Sequence, residues 1–435
     1  MDYGNQVSEI AKYFKENEKK RENFKLGIEF EHFIVEKETL EAVSYYGDKG
    51  IEDTLRKLLP NGWSGNFQDG YLLGLSKGKK FVSLEPGSQL ELSIGPCQSI
   101  TDIKNEYIEF LDEIIPILEE KGHYLMAIGY QPKSKIDEIK MIPKNRYGYM
   151  FNYFKSKGKY AHNMMKGTAS IQVTVDFESE EDYIRKFKIA NVLSPVLYAI
   201  FDNSPIFEGQ VWKENCLRTD IWANCDNDRC GIVELGLDKD FNYSKYAEYI
   251  LNRPPIFVNK DNEIIFTGEK KYRELFDPDD YSTEELEHVL TMFFPDVRTK
   301  KFIEIRMADA VPYPFNFAPI AFWKGLMYNE EALNEAYEGL KSIDIEDVKA
   351  AKVDIIKHGL EGKLKGQSVR EIGKWIIDLA RRGLDEDEKK YLIPMEEILT
   401  QGKTPAQMSK EQMSLGRNKA LDWCIVNNTL EEIKK

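Results

Sequence analysis

FVSLEPGSQLELSIGP, residues 81–96, reads as a β-strand interrupted by one turn element. Glu85, Gln89 and Glu91 occupy odd positions, so a period of two puts them on one face. Leu84, Leu90 and Leu92 point the other way, towards a core. The polar face carries two carboxylates, and close like charges raise each other's pKa unless something positive neutralises them. Pro86-Gly87 marks a turn or bulge, which ties Gln89 to Glu91 in one run and sets Glu85 apart from it. A solvated strand face explains one such stretch equally well. A functional reading requires other strands to repeat the pattern.

They do. In FKLGIEFEHFIVEK, residues 24–37, Leu26, Ile28, Phe30 and His32 alternate with Gly27, Glu29, Glu31 and Phe33. In TASIQVTVDF, residues 168–177, Gln172, Thr174 and Asp176 share a face opposite Ile171, Val173 and Val175. In FPDVRTKKFIEIRMAD, residues 294–309, Phe302, Glu304 and Arg306 alternate with Ile303, Ile305 and Met307. Helical periodicity predicts an amphipathic start through Val7, Ile10, Ala11 and Phe14, and a short helix from Gly50 to Leu59 ended by Pro60. Ser99 to Gly122 is a further helix, capped by Ser99 with Asp102 and kinked at Pro116. Others run from Ser179 to about Asp202, from Phe241 to Leu251 and from Thr283 to Phe294. GLSKGKK, residues 74–80, lacks the spacing of a phosphate-binding loop and reads as a hairpin turn. A second hairpin is expected around residues 259–262. Beyond Phe317 the pattern is helical, with no strand signal. A β-rich front half followed by a helical end predicts an α+β fold. One catalytic domain, residues 1–435, is expected, with a β-rich core over about 24–328 and a helical region over about 329–435.

The 435 residues carry a net charge of -14, which argues against a nucleic-acid partner. No apolar run approaches ~18 residues, so no membrane span is expected. The N-terminal residues lack the apolar segment of a signal peptide, so neither a signal peptide nor a transit peptide is expected. Five cysteines, an odd number, fit a reduced cytosol, and a cytoplasmic protein is the expectation. Cys216, Cys225 and Cys230 lack a zinc spacing and read as free loop thiols. Oligomeric state stays open between monomer and homodimer.

Glu29, Glu31, Glu85, Glu91 and Glu304 thus lie on polar faces of separate strands. Together they imply one sheet with an acidic side, which is stable if it holds hard divalent cations that prefer oxygen ligands. Arg146 and Arg218 read as loop residues beside those strands, where a guanidinium can hold a carboxylate bidentately; the plainer alternative is a structural ion pair. Carboxylates, Mg²⁺ and arginines suit phosphoryl chemistry. The residues themselves lead to a Mg²⁺-dependent enzyme handling a phosphate and an acidic small molecule, and leave the substrate open.

The motifs LGIEFEHF, SLEPGSQLELSIGP, GYQPK, MIPKNRYGYMFNY, TASIQVTVDF, KFKIANVLSPVLYAIFDNSPIFEG, LRTDIWANCDNDRCG and FPDVRTKKFIEIRMAD follow one another in this order. In kind and order they resemble those of the plant-type glutamate–cysteine ligases, from about Gly27 to Tyr328. The resemblance implies the glutamine-synthetase-like carboxylate–amine ligase fold, a curved, mainly antiparallel sheet flanked by helices. It also implies synthesis of γ-glutamylcysteine, the first step to glutathione, with ATP and Mg²⁺ (or Mn²⁺). On this reading Glu29, Glu31, Glu85, Glu91 and Glu304 would hold metal, and Gln89 and Arg306 would bind ATP. Glu304 and Arg306 would act in catalysis, Arg306 facing the transferred phosphoryl group. Arg146 and Arg218 would hold substrate carboxylates, and Thr168 and Gln172 would line the glutamate pocket. The implied mechanism runs through a γ-glutamyl phosphate that the amine then attacks.

Three departures stand out. Met307-Ala308-Asp309-Ala310-Val311-Pro312-Tyr313 replaces the family's Gly-Ala-Asp and Gly-Gly-Pro-Trp run, Thr174 replaces an Asn, and Ser134 replaces a Trp. They are expected near the substrates, which makes a different amine acceptor the alternative function. A silent nucleotide- or glutamate-binding relative is disfavoured, because every expected acidic position is filled.

Overall fold

The computed structural model describes residues 2–260 and 263–435; the turn of the hairpin expected around residues 259–262 lies outside the described residues. Its centre is one antiparallel sheet of β1 (Leu26–Glu36), β2 (Ser64–Gln68), β3 (Tyr71–Lys77), β4 (Lys80–Leu84), β5 (Leu90–Cys97), β6 (His123–Met126), β7 (Ser170–Val175), β8 (Val297–Thr299) and β9 (Ile303–Asp309). The order is β8-β9-β7-β1-β5-β4-β3-β2, and β6 pairs with the outer half of β1. The long strand β1 is therefore central, bonded to β7 on one side and β5 on the other.

Residues 81–96 form a hairpin rather than one interrupted strand. Ser83 pairs with Glu91 and Leu84 with Leu90. The turn is closed by Glu85 N–H donating to the Gln89 carbonyl at 2.9 Å and Ser88 N–H donating to the Glu85 carbonyl at 2.8 Å. Odd residues oppose odd residues across this hairpin, so Ser83, Glu85, Gln89 and Glu91 still share a face, now from two strands. Gly87 is required at the turn, because a Cβ there would stand 2.4 Å from the Lys166 carbonyl oxygen.

The other face is apolar. Leu26, Ile28, Phe30, Leu84, Leu90, Leu92, Ile171 and Val173 are all buried. The helix Ile100–Lys121 covers them, its Tyr107 ring lying 4.6 Å from Phe30, and Phe317 closes in at 6.0 Å. His32 belongs to this core; its Nε2 is 2.9 Å from Tyr107 Oη, and burial pushes its pKa down to about 4, so the ring is neutral. Ser99 and Asp102 form the expected capping box, and the helix runs through Pro116 to Gly122. The helix expected from Ser179 to Asp202 is instead two, Glu180–Val192 and Ser194–Ile200. Pro195 has no N–H to continue the ladder and suits a first turn. After Ala318 the chain is helical apart from a two-residue pairing of Lys363–Leu364 with Gln367–Ser368, too short to leave a period in the sequence. Among the described residues no helix is long and apolar enough to cross a membrane.

Candidate active site

The polar face of the sheet opens on a cavity of about 260 Å³. Every residue expected from the sequence except Glu304 lines it: Glu29 and Glu31 on β1, Glu91 on β5, Glu85 and Gln89 in the hairpin turn, Thr168 and Gln172 at and in β7, Arg306 on β9, and Arg146 and Arg218 from the opposite side. The antiparallel register does this. Glu31 stands directly across from Glu91, and Glu29 across from Gln172 and Ser93.

The carboxylates of this row are undercompensated. Burial first, and then Glu91 and Glu85, push Glu31 up to about 7. Burial and the charges of Glu91 and Glu304 raise Glu29 well above the carboxylate range. Burial and Glu85 raise Glu91, although its Oε1 accepts from Ser83 Oγ at 3.0 Å and Ser93 Oγ at 3.1 Å. Glu31 accepts from Ser170 N–H at 2.6 Å and from Gln172 Nε2 at 2.8 Å. Gln172 Oε1 in turn accepts from Arg306, so Glu31, Gln172 and Arg306 form one chain across three strands.

Glu304, expected among the metal ligands, has surroundings different from those of the other glutamates. It is fully buried and does not reach the cavity wall. Arg298 donates through Nε at 2.7 Å and its NH2 group lies 2.6 Å away; Arg306 donates at 3.1 Å; Lys300 Nζ is 2.7 Å from the other oxygen. These three cations overcome the cost of burial and hold the carboxyl far below its usual range. Among the described residues no three His, Cys, Asp or Glu side chains are gathered as they stand into a metal cage.

Arg146 and Arg218 are helical, not loop, residues. Arg146 is the second residue of the helix Asn145–Phe154, and Arg218 the second of the helix Leu217–Ala223. The burial of Tyr147, Met150 and Phe154 at helical spacing shows the period that the cluster of aromatics obscured. Arg218 is a clamp: it donates to the carbonyls of Arg306 and Met307, both at 3.0 Å, and faces Asp309 at 3.8 Å, and its Nε has no partner among the described residues. Among the described residues Arg146 donates to Tyr147 Oη alone, at 3.3 Å. Gln89 is committed to the wall: its Nε2 donates to the carbonyls of Met165 at 3.2 Å and Thr168 at 3.0 Å, and its Oε1 accepts from Gly87 N–H at 2.9 Å. Thr168 Oγ1 donates to the Met164 carbonyl at 2.8 Å.

Sequence reasoning missed Arg298 and Trp222. Arg298 pairs across the tight β8–β9 hairpin with Glu304, a relation that the short turn in VRTKKFIE carries. Its NH1 also donates to the carbonyls of Thr291 and Phe293, which hold the far lip of the cavity. Trp222 lies one helical turn beyond Arg218 and also lines the cavity. The departures from the family pattern do not touch this cavity: Ser134 Oγ accepts from Ala42 N–H, Met307 is in the core, and Thr174 faces a second cavity. That second cavity, of about 290 Å³, shares Glu29 with the first; its walls are Leu26, Ile28, Phe81, Ile94 and Phe302, with Lys19, Lys25 and Lys301 at hand.

Residues 25–420 match the profile of the glutamate–cysteine ligase family 2. The chain is 33% identical over 400 residues to glutamate–cysteine ligase B, chloroplastic, of Oryza sativa subsp. japonica, covering 89% of this chain and 80% of that protein. It is 30% identical over 415 residues to the chloroplastic glutamate–cysteine ligase of Arabidopsis thaliana, covering 92% and 78%. A glutamate–cysteine ligase from Francisella tularensis, solved in complex with AMP, shares the fold with a TM-score of 0.53 at 12% identity, over 95% of this chain and 89% of that one.

Proposed function

The chain belongs to the glutamate–cysteine ligase family 2, and we propose that it joins the γ-carboxylate of L-glutamate to the amino group of L-cysteine at the expense of ATP, the first step of glutathione biosynthesis. The observation that carries this reading is the row Glu29, Glu31 and Glu91. These are three carboxylates held above their ordinary range on the sheet floor of the cavity, with Arg306 also lining it.

Such a donor set fits Mg²⁺ or Mn²⁺: the ligands are all oxygen, and their charge is left unbalanced by the protein. When bound there, the ion would neutralise phosphate charge. Glu29 lines both cavities. The apolar second cavity, flanked by lysines, suits a nucleoside with its phosphates directed past Glu29. Arg306, fixed by Glu304 and Gln172, presents its guanidinium where the γ-phosphoryl group would pass. The glutamate γ-carboxylate oxygen attacks the γ-phosphorus and ADP leaves. The amine, having lost a proton, then attacks the acyl carbon and phosphate leaves. Arg146 and Thr168 hold the reactants, and Gln89 and Arg218 keep the walls in place. Much of the acceleration on this reading is positioning and charge neutralisation.

The test is ADP release with glutamate, Mg²⁺ and a panel of amines. Release that depends on cysteine and stops on chelation is the expected result. A preference for another amine would replace cysteine and leave the phosphoryl half intact. No turnover with any amine, alongside measurable ATP binding, would sink the reading.

A further inference from the structure

Arg306 sits where the sheet is irregular. Strand β9 pairs with β7 at Ile305 and Val173 and again at Ala308 and Ile171, so a three-residue step on β9 matches a two-residue step on β7. Arg306 and Met307 lie in that bulge, a feature that re-aims side chains beside active sites. Glu304 and Gln172 fix the Arg306 side chain. Its backbone has separate holds: its N–H donates to the Asp296 carbonyl at 3.0 Å, and its carbonyl accepts from Arg218 at 3.0 Å.

Both holds lead to Asp296, which is buried between the two-residue strand Phe294–Pro295 and β8. Its carboxylate accepts from Lys352 Nζ at 2.6 Å, Ser194 Oγ at 2.7 Å and Tyr198 Oη at 2.9 Å. Burial alone would raise this acid; Lys352 first, then Ser194 and Tyr198, more than offset it and hold the group below its usual range. The Tyr198 ring so tied down lies 5.9 Å from the Arg218 guanidinium and 4.9 Å from Lys352 Nζ. Lys352 is buried and belongs to the helix Ile345–His358, in the helical C-terminal region. None of Ser194, Tyr198, Asp296 and Lys352 lines the cavity.

We propose that Asp296 and Lys352 are positioning residues for phosphoryl transfer: through this ion pair the helical C-terminal region sets the backbone of Arg306 and the ring beside Arg218. The plainer account is an anchor between helix and sheet, which would affect stability alone. The proposal rests on the phosphoryl-facing role given to Arg306 above and adds the residues that aim it.

The experiment compares wild type, Lys352→Met, Lys352→Arg and Tyr198→Phe with Lys324→Met. Lys324 forms an equally short buried ion pair with Glu388, at 2.6 Å, away from the cavity. Turnover is measured per folded molecule, and binding of a nonhydrolysable ATP analogue with Mg²⁺ is read calorimetrically. Small misplacements of a catalytic group are costly, so Lys352→Met should lower kcat about tenfold or more and weaken analogue binding several-fold. KM for glutamate and cysteine should stay within about twofold, because Arg306 faces the phosphoryl group rather than the amino acids. Lys352→Arg should recover part of the loss. Tyr198→Phe, which keeps the ion pair, should lower kcat several-fold. Lys324→Met should lose stability with kcat and analogue binding unchanged. Wild-type kcat and analogue binding in folded Lys352→Met, or equal losses in Lys324→Met, overturn the proposal. Should Lys352→Met not fold, Tyr198→Phe decides, and wild-type kcat and analogue binding there overturn it. Failure of the ligase reading is separable: a wild type without turnover whose analogue binding still weakens in Lys352→Met, and not in Lys324→Met, loses the reaction and keeps the positioning pair.

Discussion

Glu304 and Glu31 are the same residue type on the same face of the same sheet, two strands apart, and their electrostatics are opposite. Glu304 is closed in by Arg298, Lys300 and Arg306 and is held far below the carboxylate range. Glu31 faces Glu91 across the ladder and is pushed up to about 7. The contrast separates two uses of a buried carboxylate. At Glu304 the counter-charges are built into the protein, so the group is a strut that fixes Arg306 and, through Arg298, the cavity lip. At Glu31, Glu29 and Glu91 the counter-charge is missing, which is the condition under which a buried acid is available to a ligand.

Removal of groups on the ligand-facing side should show in turnover. Glu91→Ala and Arg306→Ala are each expected to lower it by about 10²–10³-fold or more while circular dichroism stays native. Near-normal activity in either would remove these residues from the assigned roles. The strut side should show in stability. Glu304→Gln leaves Arg298 and Lys300 without their partner, and breaking such a buried pair costs about 3–5 kcal/mol, read in a denaturant titration. Glu31→Gln in the ligand-free protein should cost nothing or stabilise it, and equal losses for the two variants would erase the distinction.

The pH dependence carries the same contrast with its sign. An unfolded glutamate loses its proton near 4.5, whereas folded Glu31 keeps its proton to about 7. Between those values the folded state binds more protons, so metal-free wild type should lose stability as pH rises from 5 to 7. Glu31→Gln should show a flatter slope over that window. Glu304 has the reverse sign: its contribution is present above the unfolded value and is lost only as pH falls towards strong acid. The smallest expected effect is that of Ser83→Ala, which removes one of two hydroxyl donors to Glu91. Stability should change by no more than about 1 kcal/mol, with turnover down several-fold. A change as large as that of Glu91→Ala would make Ser83 itself a ligand contact.

Much of the cavity was legible in the sequence because strand alternation states directly which side chains share a face. Glu29 with Glu31, and Gln89 with Glu91, needed nothing more. Even the misreading of residues 81–96 as one strand did no harm to the face assignment, since the hairpin pairs odd with odd. Arg146 and Arg218 were found by residue type but set in loops, because a helix of seven to ten residues holds few turns in which to display a period. The surroundings of Glu304 were not legible for a different reason: its pattern is the same as that of Glu31, and only the neighbours distinguish them.

The sequence by itself determined the faces: a polar, glutamate-bearing side and an apolar side on each long strand, the capped helices between them, and the family to which the motifs belong. The tertiary structure decided which charges meet. Arg298 stands opposite Glu304, and Glu91 opposite Glu31. The physical reason is that periodicity is a property of one segment's backbone, whereas the ionisation of a buried group is set by everything packed around it, most of it distant in the chain.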